Sequence, residues 1–171
     1  FVALAWQLGA TTTAYGRWIL LALVLSWIGD ALLLSSRDRW FLPGIGSFLL
    51  AHVVFAVAFA RQPMSAPSLL AGIVLMGGLG LVVVAWLWRH LQPFYRVAVA
   101  AYVVAIVAMG AVATAVSAAS GAWMLAGGAW GFAVSDISVA RDRFVTPGFI
   151  NRAWGLPLYY AAQLVLASSV K

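Results

Sequence analysis

The chain is a succession of apolar runs interrupted at short intervals by proline, glycine, serine and arginine. That punctuation predicts seven helical segments, covering roughly 2–13, 18–35, 45–60, 68–88, 95–117, 123–140 and 152–169. Breaks are expected at Pro43-Gly44, at Pro63 with Pro67, at Pro93, at Ser120-Gly121 and at Pro147-Gly148, because each pair disfavours continued helix. The connections are short, so neighbours in sequence are expected to be antiparallel neighbours in space. No linker is long enough to divide the chain, and residues 1–171 are expected to form a single domain. The fold class is all-α, a polytopic transmembrane helical bundle. The first run, residues 2–8, fades into Gly9-Ala10-Thr11-Thr12-Thr13 and is too short for a span of about 20 residues. It is expected to be the end of a longer element whose upstream sequence is missing.

Composition supports the membrane. Hydrophobic residues make up 65% of the chain and charged residues 8%, where a soluble domain carries about 25% charged. Mean hydropathy is +1.03. A water-soluble fold of 171 residues has too little interior to hide that much apolar surface, whereas lipid accepts it. The absence of cysteine removes disulfide and thiolate chemistry. The net charge of +6 does not read as a nucleic-acid surface, because the arginines stand singly or in pairs between apolar runs. Counting crossings puts Arg37, Arg39, Arg89, Arg96, Arg141, Arg143 and Arg152 at one face, and Arg17, Arg61 and Lys171 at the other. The richer face is expected to be cytoplasmic by the positive-inside rule, in a multi-pass protein of the bacterial cytoplasmic membrane.

Against this background two short stretches stand out. Trp27-Ile28-Gly29-Asp30 lies deep in an apolar run and is followed by Arg37-Asp38-Arg39. Val134-Ser135-Asp136 comes about a hundred residues later and is followed by Arg141-Asp142-Arg143. A carboxylate among aliphatic side chains is costly in hydrocarbon and marks a functional interior. Only four residues of this chain are acidic, and two of them sit in this position. Asp30 lies about 7 Å inside its helix end, at 1.5 Å per residue, and Asp136 at a similar depth on the same side. A single such Asp is readily explained by pairing with an arginine; two at matched depth favour function. Ser26 stands on Asp30's helix face.

The segments 37–44 and 141–148 both read Arg-Asp-Arg, then three further residues (Trp40-Phe41-Leu42 and Phe144-Val145-Thr146), then Pro-Gly. They are expected to end helices running in the same direction, as a parallel repeat would. The likeness stops outside the block, which favours convergence on a turn. His52 is the only histidine in mid-helix and shares a face with Phe48, Phe55 and Phe59, a stripe read as packing. His90 reads as an interfacial loop residue. Tyr159, Tyr160 and Gln163 stand three and four apart on the last helix, interrupted by Pro157, and Tyr102 adds a further polar group. Gly127-x3-Gly131 reads as close helix packing, and Trp18, Trp40 and Trp88 as interface anchors. No His-x3-His, Cys cluster or carboxylate-rich turn argues for a metal, and no cofactor is called for.

Taken together, these residues resemble the YhhN family of membrane lysoplasmalogenases. The stretches that carry the resemblance are WIGDALLL around Asp30, GIGSFLLAHVVFAVAF around His52, YVVAIVAMGA from Tyr102, GAWGFAVSDISVARDRF around Asp136 and LYYAAQLVLASS around Gln163. They occur in the family's order and cover most of the chain from the second helix on. The Arg-Asp-Arg block after Asp30 is a departure from the family's pattern. The resemblance implies about eight spans, hence one more helix before Phe1. It also implies hydrolysis of the vinyl ether bond of a one-chain lysophospholipid taken from the bilayer, giving a fatty aldehyde and a glycerophospho-alcohol. Such chemistry needs an acid that keeps its proton near neutral pH and a negative group facing the cation. Burial and a second carboxylate are the general means to obtain them. On that reading Asp30 and Asp136 divide the two roles, as in glycoside hydrolysis, and His52 orients a group or relays a proton. Ser26, Tyr102, Ser135, Tyr159, Tyr160 and Gln163 position substrate oxygens. Arg37, Arg39, Arg141 and Arg143 lie near a phosphate headgroup. The alternative is a small-molecule or proton-coupled transporter using Asp30, His52 and Asp136 as a proton relay. A purely structural membrane protein leaves the acid pair unexplained.

Overall fold

The structure, a computed structural model, describes residues 1–35 and 38–170. Arg37, the side chain of Asp38 and Lys171 lie outside the described residues, so the readings placed on them are not taken further. Seven helices follow in order: α1 (Val2–Gln7), α2 (Ala14–Leu33), α3 (Asp38–Ala60), α4 (Ala66–Trp88), α5 (Pro93–Ser120), α6 (Trp123–Phe144) and α7 (Phe149–Ser168). No strand occurs among the described residues.

The first run is shorter than its composition suggests. α1 stops at Gln7, Gly9 turns the chain with φ of 87°, and Thr13 caps α2 by accepting a hydrogen bond from the Gly16 amide at 2.9 Å. That cap satisfies one of the orphan donors of the first turn. Thr13→Ala is expected to cost about 1 kcal/mol and Thr13→Asn far less, read as a shift in the midpoint of unfolding in detergent. At the other end of α5, Gly121 adopts φ of 77° and its amide bonds the Ser117 carbonyl, a left-handed stop that glycine adopts without strain.

Pro43 does not break the chain as expected; it lies inside α3. It removes one amide hydrogen bond close to the helix start, beside the exposed Arg39, where the freed carbonyl meets polar surroundings. Gly44 lets the helix cross α2 closely: a methyl group there would lie 2.6 Å from Leu33. The two Arg-Asp-Arg blocks are therefore not structural equivalents. One opens α3, while the other closes α6 and feeds the turn before α7. α6 runs on to Phe144, past the expected end near Ala140, so Asp136 sits eight residues inside it rather than four.

The pairs α2/α3, α4/α5, α5/α6 and α6/α7 pack antiparallel, but among the described residues α3 and α4 do not touch: α3 packs on α5 instead, so neighbours in sequence are not everywhere the neighbours in space that were expected. Between α2 and α3, Ser47 donates to the Leu25 carbonyl at 2.7 Å while Gly29 faces Phe48. Between α4 and α5, Gly72 meets the Ala111 backbone and Gly80 meets Val103. Between α5 and α6, the Ala126 amide donates to Ser117 Oγ at 3.0 Å and Trp130 Nε1 to Thr114 Oγ1 at 3.0 Å. Between α6 and α7, Gly128 packs on Leu166 and Gly131 on Ala162. The close approach expected of Gly127 belongs to Gly128, since nothing lies near Gly127.

α2, α3, α4 (from Ala66) and α5 are long and apolar enough to cross a membrane. Large apolar side chains such as Leu70, Val74, Leu81 and Val104 point outward, as lipid allows and water does not. The core gathers Ile19, Leu23, Phe55, Phe59, Met109, Phe132 and Leu166. Arg39, Arg89, Arg96, Arg141, Arg143 and Arg152 collect at one end of the bundle and Arg17 and Arg61 at the other. Each expected tryptophan anchor carries a guanidinium: Arg61 over Trp18 at 4.4 Å, Arg39 over Trp40 at 5.3 Å and Arg96 over Trp88 at 5.0 Å. Such stacking keeps charge at the interface while the ring stays in lipid.

Candidate functional site

Near the arginine-rich end a half-open cavity of about 770 Å³ runs from Asp142, Arg143, Asn151 and Arg152 at its mouth to Met76 and Ile106 in the apolar interior. Asp30 and Asp136 both line it. The two acids come from helices far apart in sequence, and rows of aromatic rings bring them to one wall.

Asp136 is built first. Tyr102, on α5, reaches it, and the phenol donates to Asp136 Oδ2 at 3.2 Å. His52, on α3, lies behind the same oxygen with Nε2 at 3.2 Å. The imidazole is fully buried, stacked on Phe132 at 4.2 Å and edged by Tyr102 at 5.3 Å. Its other nitrogen, Nδ1, lies 2.7 Å from the Phe48 carbonyl. A carbonyl only accepts, so Nδ1 carries a hydrogen. Nε2 faces Asp136 Oδ2 without making a hydrogen bond to protein. His52 and Asp136 thus form one close pair of titratable groups, with Asp136 on the cavity wall and His52 behind it.

Asp30 is built differently. Tyr159 donates to Asp30 Oδ2 at 3.0 Å, and that phenol ring packs against Phe48, Phe132 and Phe1. The glycine before Asp30 explains the Gly-Asp pair. A methyl group at Gly29 would lie 2.6 Å from the Phe48 ring, so glycine is what lets that ring pack on the α2 backbone next to Asp30. Phe48 thereby supports both acids: its ring carries Tyr159, and its carbonyl fixes the His52 tautomer.

The structure brings Asp30, Tyr102, Ser135, Asp136, Tyr159 and Tyr160 to the cavity. Ser135 donates its hydroxyl to the Phe132 carbonyl at 2.6 Å, so it offers substrate an acceptor rather than a donor. His52 stands behind Asp136 rather than on the wall. Ser26 and Gln163 also lie off the wall, both with 0% exposure. As direct contacts to substrate oxygens they are displaced, because each turns inward between helices. Arg141 is likewise withdrawn: it donates to the buried Asn151. Arg143 lines the mouth, stacked over Phe41 at 4.2 Å, and Arg39 does not line the cavity.

Sequence reasoning missed two features. Phe132 looked like one more apolar residue, yet it touches His52, Phe48, Phe55 and Tyr159. Asn151 locks the mouth by donating to Asp142 Oδ1 at 2.9 Å and to the Thr146 carbonyl at 2.8 Å; an asparagine at a helix start after Pro-Gly was its only signal. Among the described residues, no group of three His, Asp or Glu gathers as a metal site would require.

Fold and site define a class: an all-helical, multi-pass membrane protein with two carboxylates facing one cavity at one end of the bundle. Residues 1–170 match the YhhN family, and the chain belongs to that family. It is 34% identical over 157 residues to the lysoplasmalogenase TMEM86A of Bos taurus, covering 88% of this chain and 64% of that protein. A lysoplasmalogenase of Mycobacterium bovis is 36% identical over 160 residues, covering 90% of this chain and 59% of its own. The lysoplasmalogenase TMEM86B of Homo sapiens is 36% identical over 148 residues, covering 86% and 61% respectively. The chain thus spans about six-tenths of the length of these relatives. No solved structure matches it significantly.

Proposed function

We propose that the protein hydrolyses the vinyl ether bond of lysoplasmalogen-type lysolipids to a fatty aldehyde and a glycerophospho-alcohol. The observation that carries this reading is the pair Asp30 and Asp136 on one half-open cavity, each held by a tyrosine. The names of its relatives favour hydrolysis over the transporter alternative. The cavity's apolar arm, past Gly80, Val103 and Val107 to Met76, suits a single hydrocarbon chain, and its basic mouth suits a phosphate. The substrate is drawn from the bilayer into a single domain of helices, and the arginine-rich end faces the cytoplasm of a bacterial cell.

In this mechanism the His52–Asp136 unit gives its proton to the vinyl carbon distal to oxygen, leaving an oxocarbenium ion. The Asp30 carboxylate, oriented by Tyr159, faces that cation and takes a proton from water as the water's oxygen bonds to the carbon beside the ether. The hemiacetal then collapses. Its hydroxyl proton returns to the His52–Asp136 unit, the glycerol oxygen leaves with the proton held on Asp30, and both acids regain their starting states. One vinyl ether and one water yield one aldehyde and one alcohol.

The test is purified protein with a lysoplasmalogen in mixed micelles made with heavy water. Aldehyde is expected to form with one deuterium on the carbon beside the carbonyl, and the saturated alkyl ether analogue is expected to remain intact. A transporter releases no aldehyde, and absence of the product overturns the reading.

A further inference from the structure

We propose that Ser26 and Gln163 together bind an ordered water molecule one helical turn from Asp30, which serves as the source of the attacking water. The inference rests on the hydrolase reading for its role, though not for its existence.

The placement follows from register. α2 and α7 run antiparallel. Tyr159 of α7 donates to Asp30 of α2 at 3.0 Å, and at the far end Tyr15 of α2 meets Ser169 at 3.1 Å. The two contacts fix the antiparallel sense, so going back along α2 from Asp30 runs beside going forward along α7 from Tyr159. One turn from Asp30 is Ser26, and one turn from Tyr159 is Gln163. Residues four apart keep the same helix face, so the two side chains stand opposite each other as Asp30 and Tyr159 do. The step is about 6 Å along the bundle.

Their state points to a ligand. Both residues have 0% exposure. Ser26 Oγ and both amide atoms of Gln163, Oε1 and Nε2, make no hydrogen bond to protein. A hydroxyl and a carboxamide offer donors and acceptors of both kinds. Buried polar groups of this sort are ordinarily satisfied, by protein or by water. Three such atoms on facing turns of two helices match the two to four polar partners an internal water needs. Neighbours on the same faces, Leu23 and Leu166, are buried and apolar and offer those atoms no hydrogen bond.

The chemistry gives the water a use. A lysolipid filling the cavity excludes bulk water from the wall between the acids, yet the oxocarbenium ion must be captured at once. A water held on Asp30's far side is admitted as the proton moves, and Asp30 takes its proton. Ser26 and Gln163 are thus positioning residues, which explains why both turn away from the substrate.

X-ray hydroxyl-radical footprinting reads bound water directly, because radicals form where water resides. In the wild-type protein in micelles, Leu23 and Leu166 are expected to be oxidised well above the equally buried Ile19. The double variant Ser26→Ala with Gln163→Leu is expected to lose that labelling. Labelling of Leu23 and Leu166 no greater than of Ile19 in the wild type overturns the site, whatever the variants do. For the role, Gln163→Leu is expected to lower kcat about tenfold with KM unchanged, and Gln163→Asn to recover part of it. Labelling that disappears with kcat intact overturns the supply of attacking water. If the wild type releases no aldehyde, the hydrolase reading fails, while the footprint still decides whether the water is bound.

Discussion

Asp136→Asn and Asp30→Asn are each expected to lower aldehyde release by about 10²–10⁴-fold, the usual contribution of a positioned acid or base. The substitution keeps the shape of both sites. An amide oxygen still accepts from Tyr102 at position 136 and from Tyr159 at position 30, so both variants are expected to stay folded in detergent. What is lost is the ability to hold or release a proton. The two losses differ in kind. Without Asp136, no group beside His52 at the cavity wall delivers a proton to carbon, and substrate recovered from heavy water is expected to carry no deuterium. Without Asp30, protonation still occurs but the cation is not captured, so some of it reverts. Recovered substrate is then expected to carry deuterium at the vinyl carbon, above the wild-type level. Near-normal turnover by either variant rejects the pair. Exchange found in Asp136→Asn but not in Asp30→Asn exchanges their roles.

The acids were legible in the sequence because a charge in an apolar run has no cheap explanation. His52 was legible for the same reason, as the single imidazole in a phenylalanine stripe. What those residues touch was not legible. Periodicity identifies a helix's polar positions but not which neighbouring helix they meet, so Ser26 and Gln163 looked like substrate contacts although both turn inward. Phe132 was invisible because apolar residues are the background of this chain, and only the fold singles out the one that touches both His52 and Tyr159, the neighbours of the two acids. Pro43 misled for a different reason. A proline near a helix start costs one hydrogen bond, and the helix continues past it to pack Gly44 on Leu33. The end of α6 was placed too early because Arg141, Asp142 and Arg143 read as loop. In the helix Arg141 instead reaches Asn151, and Asp142 accepts from the Gly148 amide, bonds that tie α6 to the start of α7 across the turn.

Gly155→Ala is expected to destabilise the protein by about 3 kcal/mol, the upper end of the range for overpacking, although it adds one methyl group. In a helix interior the same change ordinarily stabilises by up to about 1 kcal/mol. Gly155 sits where α7 crosses α6, and the added methyl would collide with Ser138 Oγ and lie 2.5 Å from Ser138 Cβ. Rotating the serine moves Oγ, at the cost of its 2.7 Å hydrogen bond to the Ser135 carbonyl, but it leaves Cβ in place. The backbones must therefore separate. Asp136 stands two residues before Ser138, and Tyr159 stands one turn after Gly155 on the same face. Parting the helices there widens the wall that holds both acids. Gly127→Ala is the matched control, because nothing lies within 4 Å of its added methyl, and it is expected to leave stability unchanged or slightly raised. The comparison is read from denaturant unfolding of the two variants in the same detergent. Equal midpoints would show that α6 and α7 do not meet at Gly155, and the placement of Tyr159 against Asp30 would lose its support.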